Sequence, residues 1–372
     1  MIIRCNTRAP RSWPATWNRS KPSALRGIAC LCIVCYHFYC LYIDDPGLSR
    51  DLAPWYPGSK YFFEYSKNAA EMFFLISGFL IAWHYRNQIG KLSFGTFFRQ
   101  RYGKLIGASV FVNLWALANV WLMTGAGMGA ETAPVTVPRL FLSLLMFNTG
   151  WFTSYARTGL PVCSTMWYID VLLLCYMLYY AVGRIGKDRH VYIALSAGMV
   201  LLGWVCLDHT PGMPFLWSFD GRGYAPFFLG VLLGEFQQTA AEKRKRLISL
   251  LWGAGITAFF LLHTIVGFER VFGPFGTKSY IRYFEFAAAP GILLCALNLK
   301  TIREALSWRP LVWLGGLSAS VYYVHNGLME DYKIVNTITG AKIDFLSEPV
   351  FLLVIASVIP FAVLFQRSRL MK

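Results

Sequence analysis

Long apolar blocks alternate with short polar segments along the chain, and the blocks have the length of a membrane crossing. About 20 helical residues cross a ~30 Å hydrocarbon core. Apolar stretches of that order fall at roughly 25–43, 68–85, 105–123, 164–183, 190–207, 222–236, 247–267, 283–299, 311–329 and 349–366. The sixth is short. A closed barrel would instead show short strands of alternating polarity, so the pattern predicts an all-α polytopic membrane protein of about ten transmembrane helices. A further apolar run, Val137 to Phe147, lies in the longest connection, 124–162. It is too short to span and reads as a re-entrant or interfacial segment.

Composition sharpens this picture. Of 372 residues 56% are hydrophobic and 15% charged, whereas soluble proteins carry about 25% charged residues. An ordinary soluble enzyme and a disordered chain are both excluded. The net charge of +16 would suit nucleic acid if it formed a patch, but it follows the polar segments instead. Assigned to alternating sides of the ten-span arrangement, about 24 basic residues fall inside and about 11 outside. The inner set includes the tail 1–24, the segment 86–104, the KRKR run Lys243–Arg246 and the tail 367–372. Both termini are therefore expected in the cytoplasm, flanking a membrane domain over 25–366, and no nucleic-acid partner is needed. The N-terminus has the basic start of a signal peptide without a small-residue cleavage site, so the first span is expected to be a retained anchor. Cys32 and Cys35 have the spacing of a metal or redox pair, but no second pair follows, and the cysteines read as small apolar filler.

Ionisable side chains within spans are costly and mark candidate sites. Arg26 and His37 are eleven residues apart; on a helix that places them about 20° apart on one face and about 16 Å apart along the axis. Glu71 enters the second span within roughly two turns of the depth of His37, where a carboxylate can fix an imidazole's tautomer and raise its basicity. Glu71 can equally be the wet outer end of its helix. Asp170 and His325 are expected within the fourth and ninth spans, where each can also be a polar contact between helices. His84, His190, His209 and His263 fall at or near interfaces. No His, Cys or Asp cluster has metal-ligand spacing, so no metal is expected.

Six blocks in order resemble the integral membrane acyltransferase family 3. They are LRGIACLCIVCYHF, EMFFLISGFLI, FFRQRYGKLI, STMWYIDVLLLCY, YAPFFLGVLLG and LGGLSASVYYVHNGLM. Lys104 stands where the family has a second arginine, and Gln100 departs from a common arginine. The resemblance covers about residues 24–366. It implies a membrane-embedded O-acyltransferase that moves an acyl group, usually acetyl, from acyl-CoA to a hydroxyl, with no bound cofactor. The acceptor would be a surface or exported saccharide, free or lipid-linked, and the location a bacterial inner membrane. Carried over residue by residue, His37 would be the general base and Glu71 its orienting acid. Arg26, Arg101 and Lys104 would meet the CoA phosphates. Trp167, Asp170 and His325 would support the acceptor side, although many members have a glutamate three residues after the Trp where this chain has Asp170. The rival reading is a transporter or flippase of a lipid-linked saccharide, with His37 and Glu71 as a proton relay; no inverted repeat supports it.

Overall fold

A computed structural model describes residues 20–43, 66–127, 135–151, 160–209, 213–266 and 282–371. The tail up to residue 19, the expected outer segment 44–65 and parts of the connection 124–162 lie outside the described residues. Among the described residues the chain is helical, with no strand. The helices are α1 (Ser20–Phe38), α2 (Ala69–Tyr85), α3 (Phe94–Tyr102), α4 (Ile106–Gly125), α5 (Val137–Leu144) and α6 (Trp167–Ile185). They continue as α7 (Arg189–His209), α8 (Ser218–Thr239), α9 (Glu242–Val266), α10 (Ala289–Asn298), α11 (Lys300–Ala305), α12 (Arg309–Thr339) and α13 (Glu348–Arg367). Two π-helical turns, Tyr39–Ile43 after α1 and Phe284–Ala288 before α10, interrupt the regular geometry.

Among the described residues each of the ten apolar stretches falls mainly on helix. Five helical segments among the described residues are long and apolar enough to cross a membrane: Pro22–Tyr42, Ile106–Gly125, Ser164–Ile185, Arg189–His209 and Glu348–Arg367. The others depart for identifiable reasons. Helix α2 has only 17 residues. Helix α9 opens on the KRKR run. Helix α12 has 31 residues, about 46 Å at 1.5 Å per residue, and carries Glu330, Asp331 and Lys333 near its end. The Val137 to Phe147 run forms the short helix α5, capped by Thr136, whose hydroxyl accepts the Arg139 N–H. Large apolar side chains such as Leu353, Leu364, Leu201 and Trp121 stand exposed on α13, α7 and α4. In water such faces would be a liability; on a bundle's rim they are a surface for lipid.

The sixth stretch is longer than its hydropathy implies. Asp220, Arg222 and Glu235 break the apolar pattern, yet the helix runs unbroken through all three. Asp220 caps the helix's own start, its Oδ2 accepting the Trp217 N–H at 2.9 Å, and the other two find partners on other helices. Arg222 pairs with Glu71 of α2, and Glu235 pairs with Arg189 at the start of α7.

Two glycine-mediated contacts position the interior. Helices α2 and α8 run parallel at close approach: a Cβ on Gly78 would collide with the Phe227 carbonyl, and one on Gly230 with the Leu75 carbonyl. No side chain larger than hydrogen fits at either point. Helices α1 and α12 are also parallel and in register. A Cβ on Gly27 would lie 2.9 Å from the Gly315 nitrogen. The Cys30 thiol reaches the Ser318 carbonyl at 3.4 Å, and the Tyr42 hydroxyl donates to the Met329 carbonyl at 2.5 Å.

Candidate active site

The α1–α12 register places His37 level with His325. Their rings lie 5.0 Å apart between centroids, tilted by 53°. Tyr322 flanks His325 at 5.8 Å, and Tyr36 meets His37 edge-on at 5.2 Å. The nitrogen Nδ1 of His325 lies 2.7 Å from the Tyr322 carbonyl and 3.1 Å from that of Val321. Carbonyl oxygens only accept, so Nδ1 carries the proton and Nε2 carries the lone pair. That Nε2 is buried and has no hydrogen-bond partner. The π turn that begins directly after Phe38 bounds this pair; such turns recur at functional sites.

A polar column connects the histidines to one end of the bundle. Tyr322 packs on Tyr168 at 5.3 Å, and its hydroxyl donates to the Thr165 carbonyl. Ser77, from the SGFL stretch of α2, sits against the hydroxyls of Tyr168 and Tyr176. Arg26 lies within electrostatic reach of both tyrosines, and one of its guanidinium nitrogens donates to the Ser23 hydroxyl at 3.2 Å. Arg101 is 4% exposed and stacks over Tyr85 at 4.5 Å, with Tyr176 at 5.5 Å. Arg26 and Arg101, far apart in sequence, thus converge on one tyrosine, each with an unbonded Nε. Helix α1 is continuous from Arg26 to His37, which preserves the expected ~16 Å between them. Lys104 lies in the turn between α3 and α4, partly buried.

Basic residues crowd this same end. Arg86 and Arg189 converge on Glu235 at 3.7 and 2.7 Å, and Arg184 donates to the Gly90 carbonyl.

Glu71 has a different partner from the one its position suggests. It is wholly buried, and its Oε1 accepts from Nε of Arg222 at 2.5 Å. The acid that the sequence pairs with His37 is held by a guanidinium from α8 instead. Arg222 in turn stacks over Trp167 at 4.8 Å and Phe219 at 5.8 Å. Tyr36 and Glu285 lie within electrostatic reach of Arg222, so this ion pair borders the histidines through Tyr36. Asp170 faces a loop: its Oδ2 accepts the Thr149 N–H at 2.9 Å, and the Trp151 indole donates to its backbone carbonyl at 3.0 Å. It fastens the 148–151 segment over the start of α6. Among the described residues no group of three or more His, Cys, Asp or Glu side chains is placed to hold a metal ion.

Arg222 and Glu285 are not among the candidates the sequence singles out, although both lie within the apolar stretches 222–236 and 283–299 and carry the same signal that marks His37.

Apolar helices around a histidine pair, His325 buried and His37 half-buried, with arginines leading to it from one basic end, define a multi-pass membrane protein with ionisable side chains gathered in its interior. The model of an acyltransferase domain matches residues 21–367, nearly the whole chain, and the protein belongs to acyltransferase family 3. It is thus a membrane acyltransferase by family. No curated protein and no solved structure gives a significant match.

Proposed function

We propose that the protein transfers an acetyl group from acetyl-CoA to a hydroxyl of a surface or exported saccharide, with His37 as general base. The observation that carries this reading is the imidazole pair, His325 buried and His37 half-buried, whose rings lie 5.0 Å apart at the head of the arginine-lined column. In this reading ten helices cross a bacterial inner membrane, both termini are cytoplasmic, and the basic end faces the cytoplasm, where acyl-CoA is found. Arg26 and Arg101, with Lys104 in the adjoining turn, take the CoA phosphates. Guanidinium binds phosphate through paired hydrogen bonds, and the unbonded Nε of each arginine supports that use.

The chemistry needs one base and no metal. A saccharide hydroxyl is a weak nucleophile until a base takes its proton as the new C–O bond forms. His37 takes that proton, the oxygen adds to the thioester carbon, the C–S bond breaks, and the proton is returned to the departing sulfur. Products are the ester and free CoA. His325 has its proton fixed on Nδ1, so only a lone pair faces the site. It serves to hold a hydrogen of the acceptor or of His37, which orients the reacting groups.

The test is release of free CoA by full-length protein in lipid nanodiscs. Release should require an acceptor, which a transporter would not show. His37→Ala should lower the rate by about 10²-fold to 10⁴-fold with normal insertion and acetyl-CoA binding. A well-folded His37→Ala protein that keeps half its activity overturns the mechanism.

A further inference from the structure

Beyond the imidazoles, at the end opposite the basic one, polar side chains are buried with their hydrogen-bonding capacity unspent. Asn68, Glu71 and Glu285 are each 0% exposed. Asn68 sits one turn before Glu71, ahead of α2, and Glu285 lies in the π turn before α10. The Glu71–Arg222 pair uses one edge of each partner and leaves Oε2 and Nη2 unbonded. Both carboxylate oxygens of Glu285 lack a hydrogen-bond partner, and so do both polar atoms of the Asn68 side chain. Glu285 lies within electrostatic reach of Glu71, Arg222 and Arg282, while Arg282 is itself paired with Asp208. Trp167 and Phe219, 4.7 Å apart, border the group.

A fold gains nothing from burying such atoms empty-handed, since each has given up water without replacement. The open atoms also specify what would satisfy them. Four acceptors (Glu71 Oε2, both Glu285 oxygens, Asn68 Oδ1) stand beside two donor groups (Arg222 Nη2, Asn68 Nδ2). Hydroxyls match that set, because each donates one hydrogen and accepts in return. A phosphate or carboxylate does not: it offers only acceptors and meets two like-charged side chains. A metal ion finds Arg222 in its way, and no three-ligand group among the described residues.

We infer that Asn68, Glu71, Arg222 and Glu285 form the subsite for the non-reacting hydroxyls of the acceptor, and that it takes a neutral, polyhydroxylated ring and rejects anionic ones. The inference rests on the acyl-transfer reading, and it assigns Glu71 to acceptor binding in place of orienting His37. The reacting hydroxyl then points past Tyr36 to the imidazoles.

Thermal midpoints of the full-length protein in nanodiscs test it. The probes are neutral methyl glycosides (glucoside, galactoside, mannoside), their anionic counterparts glucose 1-phosphate and glucuronate, and acetyl-CoA in a separate arm. At least one neutral glycoside should raise the midpoint, and the anionic probes should not. Glu285→Gln should weaken the glycoside at least tenfold while acetyl-CoA still shifts the midpoint. Without ligand, this variant should melt at or above wild type, because a buried unpaired carboxylate is gone; a carboxylate with a purely structural role would give a lower midpoint. Asn68→Ala should weaken the same glycoside and serves if Glu285→Gln does not fold. No shift with any neutral glycoside, stronger shifts with the anionic probes, or glycoside affinity within twofold of wild type in the folded variants overturns the inference. Loss of the acetyl-CoA shift in wild type overturns the acyl-transfer reading instead.

Discussion

Replacing Arg222 with Met removes the guanidinium and leaves Glu71 without its cation. The magnitude follows from the geometry. The bond is 2.5 Å long, the Glu71 side chain is 0% exposed and that of Arg222 16%. Breaking a buried ion pair by removing one partner costs ~3 to 5 kcal/mol, because the remaining charge is stranded. The slight exposure of Arg222 and protonation of the stranded carboxyl place the expected loss at the lower edge, about 3 kcal/mol. Removing Glu71 as well, as Glu71→Gln, should restore most of it, so the two losses should fall short of additivity by about 2 kcal/mol. The stacking of Arg222 on Trp167 disappears in every Arg222→Met background and cancels in the cycle. Equilibrium unfolding of the four proteins in mixed micelles by denaturing detergent, read by circular dichroism, supplies the numbers. A loss below 1 kcal/mol in Arg222→Met, or strict additivity in the double variant, would refute the view that this pair is one buried electrostatic unit.

Three further outcomes are expected. Arg101→Lys should insert normally yet raise the KM for acetyl-CoA several-fold, by ~1 to 2 kcal/mol of lost charge-assisted bonding and ring stacking; an unchanged KM in Arg101→Lys and Arg101→Gln would assign the residue to packing and orientation alone. A cysteine placed at position 244 should resist an impermeant thiol reagent in intact cells and react after permeabilisation, and labelling in intact cells would contradict a cytoplasmic KRKR run. Asp188, in the turn before α7, accepts the His190 and Val191 N–H groups, which hold its carboxyl below the usual aspartate range. Its contribution is present above the unfolded-state value and is lost as pH falls through the lower folded one. Asp188→Ala should therefore melt below wild type at neutral pH, with the gap closing in acid; a gap that widens as pH falls would reverse the assignment.

Helix positions were legible because apolar content alone decides which segments can enter a membrane, and each stretch from 25–43 to 349–366 lies on helix. Boundaries failed where charge interrupts the pattern. Helix α8 extends to Ser218 and Thr239 because Asp220 caps its start and because Glu71 and Arg189 pair with Arg222 and Glu235, and those two partners lie 151 and 46 residues away. His37 and His325 were each legible as an imidazole in an apolar run, but their adjacency was not, since only packing sets two distant helices in register. The doublet of glycines before it, Gly315 and Gly316, was the available hint of a close crossing. Glu285, in YFEFAAAPG, carries the same intramembrane-charge signal as His37, but no neighbouring residue in the sequence shows what it meets. The partner of Glu71 could not be read from spacing, because a carboxylate in that place serves an imidazole or a guanidinium equally well.

Because His37 meets His325 through the parallel seating of α1 on α12, the two halves of the site are made at opposite ends of translation. The first imidazole enters the membrane early, and the second arrives only after nearly all other helices. A nascent chain therefore holds a histidine and arginines but no finished centre, and under the proposed mechanism it should be inert toward thioester throughout synthesis. Any product that stops short of α12 shares that inertness. Conversely, an amino-terminal fragment should regain the centre when α12 and α13 are supplied on a separate polypeptide, because the glycine crossing, rather than covalent continuity, sets the register.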